Sequence, residues 1–474
     1  MTSSPHRHRA PATPSTGTRC TDPTASHRPC PTSIAATLAI PPSAAVTWPH
    51  PRRATSNTGV IAGDAFDPDH GHGRPLEGIR VLALEQMQSL PYATQLLARL
   101  GADVVKIEHP ERGDLGRGAQ PAIADPYGRP VGATFLRNNL SKRSVAVDLK
   151  HPEGAALVRR LAPRFDVVAE NFKPGTVERF GLGWDDLVAV HPRLVWLSIS
   201  GFGNLEPSPY AHWPAFAPVA EAMAGLYAIN RGPDEPVKVS PVGALGDTGT
   251  ALFAVIGVLA ALRQRDATGR PQRVDVAMFD AMVAFADIVP NYWSLGKDPR
   301  TPTLIINHGF ALRRGEIVIQ VGREHQFARL AEAVGHPEWV DDERFATRQG
   351  WLEHLEVIRA GVRDWAGDRT PVAAADALAA AGIAAAPVFE AEDLVHDDHV
   401  AAHEMLVGIP RPDGAEQPVL TPGNPVKIAD LAEDHPSRPP WLGEHTEDVL
   451  SAELGLDPDE IADLAARGVI GREP

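Results

Sequence analysis

The chain has 474 residues, 43% of them hydrophobic and 22% charged, and a formal net charge of -15. This length accommodates roughly two or three domains, and the acidic balance excludes nucleic acid as the main partner, since that binding requires a basic face. The two cysteines, Cys20 and Cys30, both lie near the N-terminus, so the rest of the chain has no disulfide, thiolate metal site, iron–sulfur cluster or cysteine nucleophile.

Residues 1–75 are rich in Pro, Ser, Thr, Ala and His and contain Arg but no Lys. No helical or strand period persists there. The composition predicts a disordered N-terminal extension, or unstructured sequence added by an upstream start codon. A transit peptide fits less well, because proline interrupts any amphipathic helix.

At Gly78 the pattern changes. Apolar runs at 79–84, 103–107, 144–149, 166–169 and 194–198 read as strands, and helical spacing covers 91–100, 152–161 and 184–190. Gly101 closes the first helix as a C-terminal glycine does. Strands alternating with helices predict an α/β fold with an open, Rossmann-like parallel sheet in a large domain. Ligands in such sheets bind beyond the carboxyl ends of the strands, which directs attention to the loops after Leu84, Ile107, Leu149, Ala169 and Ser198. Helices are predicted over 217–227 and 247–265, then a strand over 273–276 and a helix over 278–290. The apolar run from about Thr250 to Leu262 is too short to span a bilayer. It reads as a core helix, and a cytoplasmic enzyme without membrane partners is expected. A second, smaller α/β domain spans 300–395, with a strand at 316–321, helices at 325–334 and 372–381, and a strand at 385–388. Proline recurs from Pro410, and residues 396–474 are expected to return to the large domain of 76–295. Thr446 is the expected N-cap of a helix through Leu454, and a last helix covers 457–467.

Several constellations bear on chemistry. Asp247 sits in Gly243-Ala244-Leu245-Gly246-Asp247-Thr248-Gly249, at the mouth of an apolar helix. Flanking glycines permit a tight turn and close ligand approach. A carboxylate in a first helical turn gains about 0.3–1 kcal/mol from the macrodipole, favouring its ionised, nucleophilic form. From spacing alone, an ordinary N-cap aspartate is the better fit. His399 and His403 share i, i+4 spacing, but the Glu within the His pair that a zinc motif requires is missing, and no metal site is expected. The turn 113–118 lacks dinucleotide-binding spacing. Ser198 and Ser200 lie outside a nucleophile elbow.

Four stretches, in order, carry a resemblance. They are Pro75–Leu82 with Leu100-Gly101-Ala102-Asp103-Val104-Val105-Lys106-Ile107-Glu108; Lys142-Arg143-Ser144 with Val147-Asp148-Leu149-Lys150; Glu170-Asn171-Phe172-Lys173-Pro174-Gly175 through Ser200-Gly201-Phe202-Gly203; and Leu245-Gly246-Asp247 with Gly257–Leu262. The C-terminal Leu442-Gly443-Glu444-His445-Thr446 fits as well. Together they resemble the family III CoA-transferases of the CaiB/BaiF kind, from about residue 75 to 470. The resemblance implies that Asp247 attacks a donor acyl-CoA, giving an aspartyl mixed anhydride and then an aspartyl-CoA thioester, from which CoA passes to an acceptor carboxylic acid. Backbone N–H groups of the glycine-rich turn would stabilise the developing charge. Positions matching the family's CoA-binding loops are Gln88, Ser89, Asp148, Leu149, Lys150, Asn171, Phe172, Lys173 and Arg179. CoA is then a substrate, with no tightly bound cofactor. The resemblance further implies an interlocked homodimer and a site between the domains.

Departures narrow this expectation. His109 stands where many relatives carry a basic residue, often Arg. Pro214-Ala215-Phe216-Ala217 lacks the histidine that the racemase branch pairs with its aspartate, and a racemase needs a base on each face of the α-carbon. Asn307-His308-Gly309-Phe310 lacks the glycine run of the formyl-CoA branch, which argues against formyl or oxalyl chemistry. The other readings are an α-methylacyl-CoA racemase-like isomerase and a non-catalytic acyl-CoA-binding relative.

Overall fold

The computed structural model describes residues 73–229, 231, 235–239, 244–301, 303–429 and 436–473. The expectations for residues 1–72, both cysteines included, and for Gly243 lie outside the described residues.

The central element is a parallel sheet of β1 (Arg80–Leu84), β2 (Asp103–Glu108), β3 (Lys142–Ala146), β4 (Val167–Glu170), β5 (Val195–Ser200) and β6 (Gln272–Ala277), in the order β3-β2-β1-β4-β5-β6. Every neighbouring pair is parallel. The chain order reverses between β1 and β4, and such a switch point opens a crevice at the carboxyl ends of the strands. Alternate residues feed two cores, as the two-residue strand period requires. Leu82, Leu84, Val105 and Ile107 face one side, against α3 (Pro152–Leu161) and the C-terminal helices Thr446–Leu454 and Pro458–Ala466. Val81, Ala83, Val104 and Val167 face the other, against α1 (Ser89–Arg99) and α5 (Leu245–Thr268).

The predicted strands and helices are largely present, with instructive differences. α1 begins at Ser89 and ends before Gly101, whose φ of +107° and whose hydrogen Arg74 Cβ would crowd at 2.5 Å if it were a Cβ make glycine obligatory there. β3 starts at Lys142, two residues before the apolar run, and stops at Ala146; Val147 makes only a single antiparallel bridge, to Ile470. Charged residues open this strand because Lys142 is buried among ionic partners. Thr446 is not an N-cap. His445 takes that position, while the Thr446 hydroxyl accepts from Ala146 N at 3.0 Å and donates to Gly443 O at 2.9 Å, fastening the C-terminal segment to β3. The predicted helix over 217–227 divides into α4 (Ala217–Met223) and a turn at Leu226–Ile229. That over 278–290 divides into α6 (Met278–Phe285) and α7 (Ile288–Ser294).

Residues 306–387 form a three-stranded sheet that is wholly antiparallel, with its own core around Phe310, Ile317, Ile319, Phe327 and Trp351. Helices Arg348–Glu353 and Leu355–Ala366 and the strand Ile306–Ala311 escaped the sequence reading. The proline-rich stretch after 405 forms an antiparallel pair, Leu406–Ile409 with Val419–Pro422.

Beneath the switch point lies a fully enclosed ionic cluster. Lys106, with 0% exposure, contacts Asp114 at 2.7 Å and Glu85 at 3.3 Å, and Lys142 contacts Glu85 at 2.7 Å. Beside it Arg117 pairs with Glu108 at 2.7 Å, and Ser144 Oγ donates to Glu108. Burial opposes ionisation of Glu108, but Arg117, Lys106 and Ser144 bring it down to about 2. For Lys142 burial prevails over Glu85 and lowers it to about 8. Removing one member of such a cluster strands the others in a low dielectric, at about 3–5 kcal/mol. Lys106→Met should therefore destabilise the protein by about that amount in urea denaturation, whereas Arg300→Ala, which breaks the exposed Arg300–Asp298 pair, should change stability by less than about 1 kcal/mol. Equal effects of the two would show that the cluster contributes no more than a surface pair.

Candidate active site

Asp247 lies in the first turn of α5, three residues after the N-cap Ala244, which adopts a left-handed φ of +65°. Its placement depends on close packing of the helix start against α4. A Cβ on Gly246 would stand 2.8 Å from Ala217 Cα, and one on Gly249 would stand 2.6 Å from Phe285. Only glycine allows these approaches, so the two glycines let α5 approach α4 and α6 with Asp247 between them. The Asp247 carboxylate is half-buried and makes no ion pair within 4.0 Å among the described residues.

Burial, and after it the neighbouring Glu221 charge, raise the Asp247 carboxyl to about 6 against the opposing Arg137 charge. Desolvation and a like charge thus outweigh a dipole worth about 0.3–1 kcal/mol, although a carboxyl at about 6 is still mostly ionised at neutral pH. Glu221 is itself fixed, accepting from Gly246 N at 2.8 Å and from the Tyr227 hydroxyl. This corrects an expectation. The Gly246 N–H is committed to Glu221, and the N–H groups of Asp247 and Thr248 both point to Ala244 O at 3.0 Å. None of these three is a free donor for an oxyanion.

The loop after β1 faces this turn. Ser89 Oγ donates to the Asp247 carbonyl at 3.3 Å, and Gln88 Oε1 accepts from Arg137 Nη2 at 2.8 Å. Both residues are buried, at 8% exposure for Gln88 and 4% for Ser89. The loop is held by the ionic cluster: Met87, at a left-handed φ of +67°, donates its N–H to Asp114 Oδ1 at 2.9 Å. Asn171 clamps the same loop, accepting from Gln86 N at 2.9 Å and donating to Gln86 O at 3.0 Å.

The remaining predicted positions sit elsewhere along the carboxyl edge of the sheet. Leu149, Lys150 and Arg179 line one groove of about 350 Å³, together with Pro152, Arg159 and Phe180. Asp148 Oδ1 accepts from Lys150 N at 2.9 Å, which shapes the loop between β3 and α3. Arg179 donates to Thr176 Oγ1 at 3.0 Å, and Lys173 is exposed. Phe172 donates its N–H to Glu170 Oε2 at 2.9 Å; burial raises Glu170 to about 7 against the hydrogen bonds from Ser198 and Phe172 N. His109 Nδ1 accepts from Glu111 N at 3.2 Å and Arg112 N at 3.4 Å, so one face of its ring is occupied by the turn that follows β2. Ser89 therefore meets the Asp247 backbone, Gln88 beside it holds Arg137, Asn171 supports their loop, and Lys150 and Arg179 belong to a separate cationic groove.

The profile of the CoA-transferase family III matches residues 76–446. The chain belongs to this family. As a family III CoA-transferase it is 36% identical over 405 residues to the succinyl-CoA–L-malate CoA-transferase beta subunit of Chloroflexus aurantiacus, covering 84% of this chain and 98% of that one. It is 35% identical over 419 residues to the formyl-CoA:oxalate CoA-transferase of Streptomyces avermitilis, covering 84% and 100%. The crystal structure of a CaiB/BaiF family protein from Brucella suis superposes with a TM-score of 0.71 at 32% identity, covering 80% of this chain and 100% of that chain. The enzyme is a CoA-transferase that moves CoA between acyl-CoA and carboxylic acids.

Reading the sequence missed Arg137 and Glu221. Arg137 had only a faint signal, a charge directly after the apolar pair Phe135-Leu136. Glu221 had none, because only the fold brings it to Gly246.

The raised Asp247 carboxyl carries a consequence for stability. Its pKa is higher folded than unfolded, so its contribution to stability is full below about pH 3.8 and is lost as pH rises through about 6. Asp247→Asn should thus stabilise the enzyme by about 1 kcal/mol at pH 7.5, the gain shrinking toward pH 4. Urea denaturation across that range measures it, and a gain that grows toward pH 4 would contradict the assignment.

Proposed function

We propose that this CoA-transferase works through covalent intermediates on Asp247. An Asp247 oxygen attacks the thioester carbonyl of the donor, the C–S bond breaks, and CoA leaves as thiolate. The thiolate attacks the aspartyl carbonyl of the mixed anhydride, releasing the donor as a free carboxylate and leaving an aspartyl-CoA thioester. The acceptor carboxylate attacks that thioester, again freeing the thiolate, which then attacks the acceptor carbonyl and regenerates the Asp247 carboxylate. Atoms and electron pairs balance, and each step exchanges one acyl leaving group for another.

The observation that carries this reading is the half-buried Asp247, which makes no ion pair among the described residues and whose backbone carbonyl meets Ser89 on the loop after β1. A carboxyl at about 6 is mostly ionised at neutral pH and more nucleophilic than an ordinary aspartate. The CoA nucleotide would lie on the groove of Lys150 and Arg179, with Lys173 exposed nearby on the loop after β4, and the site would sit between the large domain and the 300–395 domain. The absence of a histidine in 214–217 favours transfer over racemisation. A cytoplasmic location belongs to the same proposal.

A second copy of the chain is part of it too. α5 is long and apolar enough to cross a membrane by length and composition alone, yet one face packs into the sheet core through Ala251, Ala254 and Val258. Its opposite face exposes Leu252, Phe253 and Ile256, the last at 61%, and Phe253 meets Phe285 with ring centroids 5.7 Å apart. Trp293 and Leu295 extend the apolar surface, at 78% and 69% exposure. A patch of this kind needs a cover, and the family resemblance supplies one in an interlocked homodimer.

Two measurements test these readings. Incubation with acyl-CoA and hydroxylamine should give a hydroxamate on Asp247 by peptide mass analysis, absent in Asp247→Ala, with an acylation rate that rises with pH through about 6 as the carboxylate forms. Tight CoA binding with no adduct would overturn the covalent mechanism. Sedimentation equilibrium should return twice the chain mass of 50.8 kDa, and a monomer at micromolar concentration would remove the dimer.

A further inference from the structure

Arg137 ends α2 (Ala133–Asn138) and has no role in the mechanism above. It is half-buried, and its backbone is rigidly set: the buried Gln95 donates to Arg137 O at 2.9 Å and accepts from Leu140 N at 2.7 Å. Asn139, the C-cap of α2, is tied to Lys142 Nζ at 3.0 Å and so to the ionic cluster. The guanidinium donates one N–H to Gln88 Oε1 at 2.8 Å and makes no ion pair within 4.0 Å among the described residues.

A half-buried cation with no paired anion is costly. Burial pulls the Arg137 guanidinium below its ordinary value, and the charge opposing that is Asp247's. Asp247 supplies this charge only while it is a carboxylate. In the anhydride and in the thioester it is neutral, and Glu221 is already bonded to Gly246 N and the Tyr227 hydroxyl. Catalysis therefore removes, among the described residues, the anion whose charge compensates Arg137, for as long as either intermediate lasts.

An anion from the substrate resolves this. The nucleotide phosphates have cations of their own in the Lys150 and Arg179 groove. Arg137 is instead bonded to Gln88, whose neighbour Ser89 meets the Asp247 carbonyl, so it stands on the side of the site where an acyl chain on Asp247 would extend. The reacting carbonyl has to contact Asp247 itself, whereas Arg137 is beyond ion-pair distance of it. A second carboxylate on the acyl chain meets both demands.

Building on the proposed covalent mechanism, we propose that Arg137, oriented by Gln88, binds the distal carboxylate of a dicarboxylic acyl group, and so makes this enzyme selective for dicarboxylic over monocarboxylic acids of equal length. The planar fork of arginine suits a carboxylate, and its N–H groups other than the one given to Gln88 remain available for a paired contact.

The test compares succinyl-CoA with butyryl-CoA, thioesters of the same chain length that differ in the distal carboxylate. The rate of Asp247 acylation is read as hydroxamate in single turnovers. The wild-type enzyme should favour succinyl-CoA, and Arg137→Gln should lower the succinyl-to-butyryl ratio about 100-fold, the loss expected for one charged hydrogen-bonded contact. Arg137→Lys should keep part of the preference, as a cation without the fork. The ratio within each variant is insensitive to the fraction of folded enzyme. An unchanged ratio in Arg137→Gln would assign Arg137 a structural role and overturn the inference. Equal acylation of the wild type by both thioesters would overturn it while leaving the covalent mechanism standing. Failure of both thioesters to form any adduct would remove the mechanism, and this inference with it.

Discussion

Lys106, buried without exposure between Asp114 and Glu85, is the constraint from which the site takes its shape. It projects from the middle of β2, next to β1, at the point where the sheet order reverses. Its charge must be neutralised inside the fold, because desolvating a lone ammonium costs far more than any packing gain returns. Glu85, immediately after β1, meets it, and Lys142 at the head of β3 meets Glu85. Asp114 meets Lys106 and in turn holds Met87 N. The loop after β1 thus has one accessible path, and that path presents Ser89 to the Asp247 backbone and Gln88 to Arg137. Through Asn139 the same cluster fixes the end of α2 and hence Arg137. Buried ion clusters add little net stability compared with apolar packing, but opening one is expensive, and a catalytic loop that is expensive to open is preorganised.

Against this rigid frame Asp247, the proposed nucleophile, is left without a close counter-charge. Asp247 has no ion pair, a like charge nearby in Glu221, and a single cation, Arg137, at longer range. Burial and Glu221 raise its energy as a carboxylate, and Arg137 offsets part of that rise. Under the proposed covalent mechanism, acylation of Asp247 would relieve desolvation and like-charge repulsion together. The Glu221 carboxylate has two functions in this arrangement. It caps the start of α5 through Gly246 N, and it contributes the repulsion.

The long helix α5 serves three purposes. Its first turn carries Asp247, its inner face closes one core of the sheet, and its outer face is apolar and exposed. A helix that is apolar on most sides is found in the centre of a large core, in a bilayer or at an obligate interface. Here one face is already in contact with β-strands, which leaves the interface as the reading in keeping with the family. An interface formed by α5 would also couple assembly to the position of the nucleophile, since both lie on one rigid element.

The sequence by itself determined the sheet. Apolar runs of strand length, separated by helical spacing and closed by Gly101, define β1, α1, β2, α3, β4 and β5 to within a few residues, because these elements are recorded in local periodicity. It also pointed to Asp247, Gln88 and Ser89 through a family pattern that their spacing alone would not have carried. Where it failed, the cause lies in contacts distant along the chain. β3 begins at a lysine because Glu85, 57 residues earlier, neutralises it. The antiparallel 306–387 sheet and the hairpin after 405 depend on pairings that alternation cannot orient. Arg137 and Glu221 come to Asp247 from elements 110 and 26 residues before it in the chain. The raised pKa of Asp247 was illegible for the same reason: a helix dipole is local and readable, whereas burial and the charge of a neighbour exist only once the chain has folded around them.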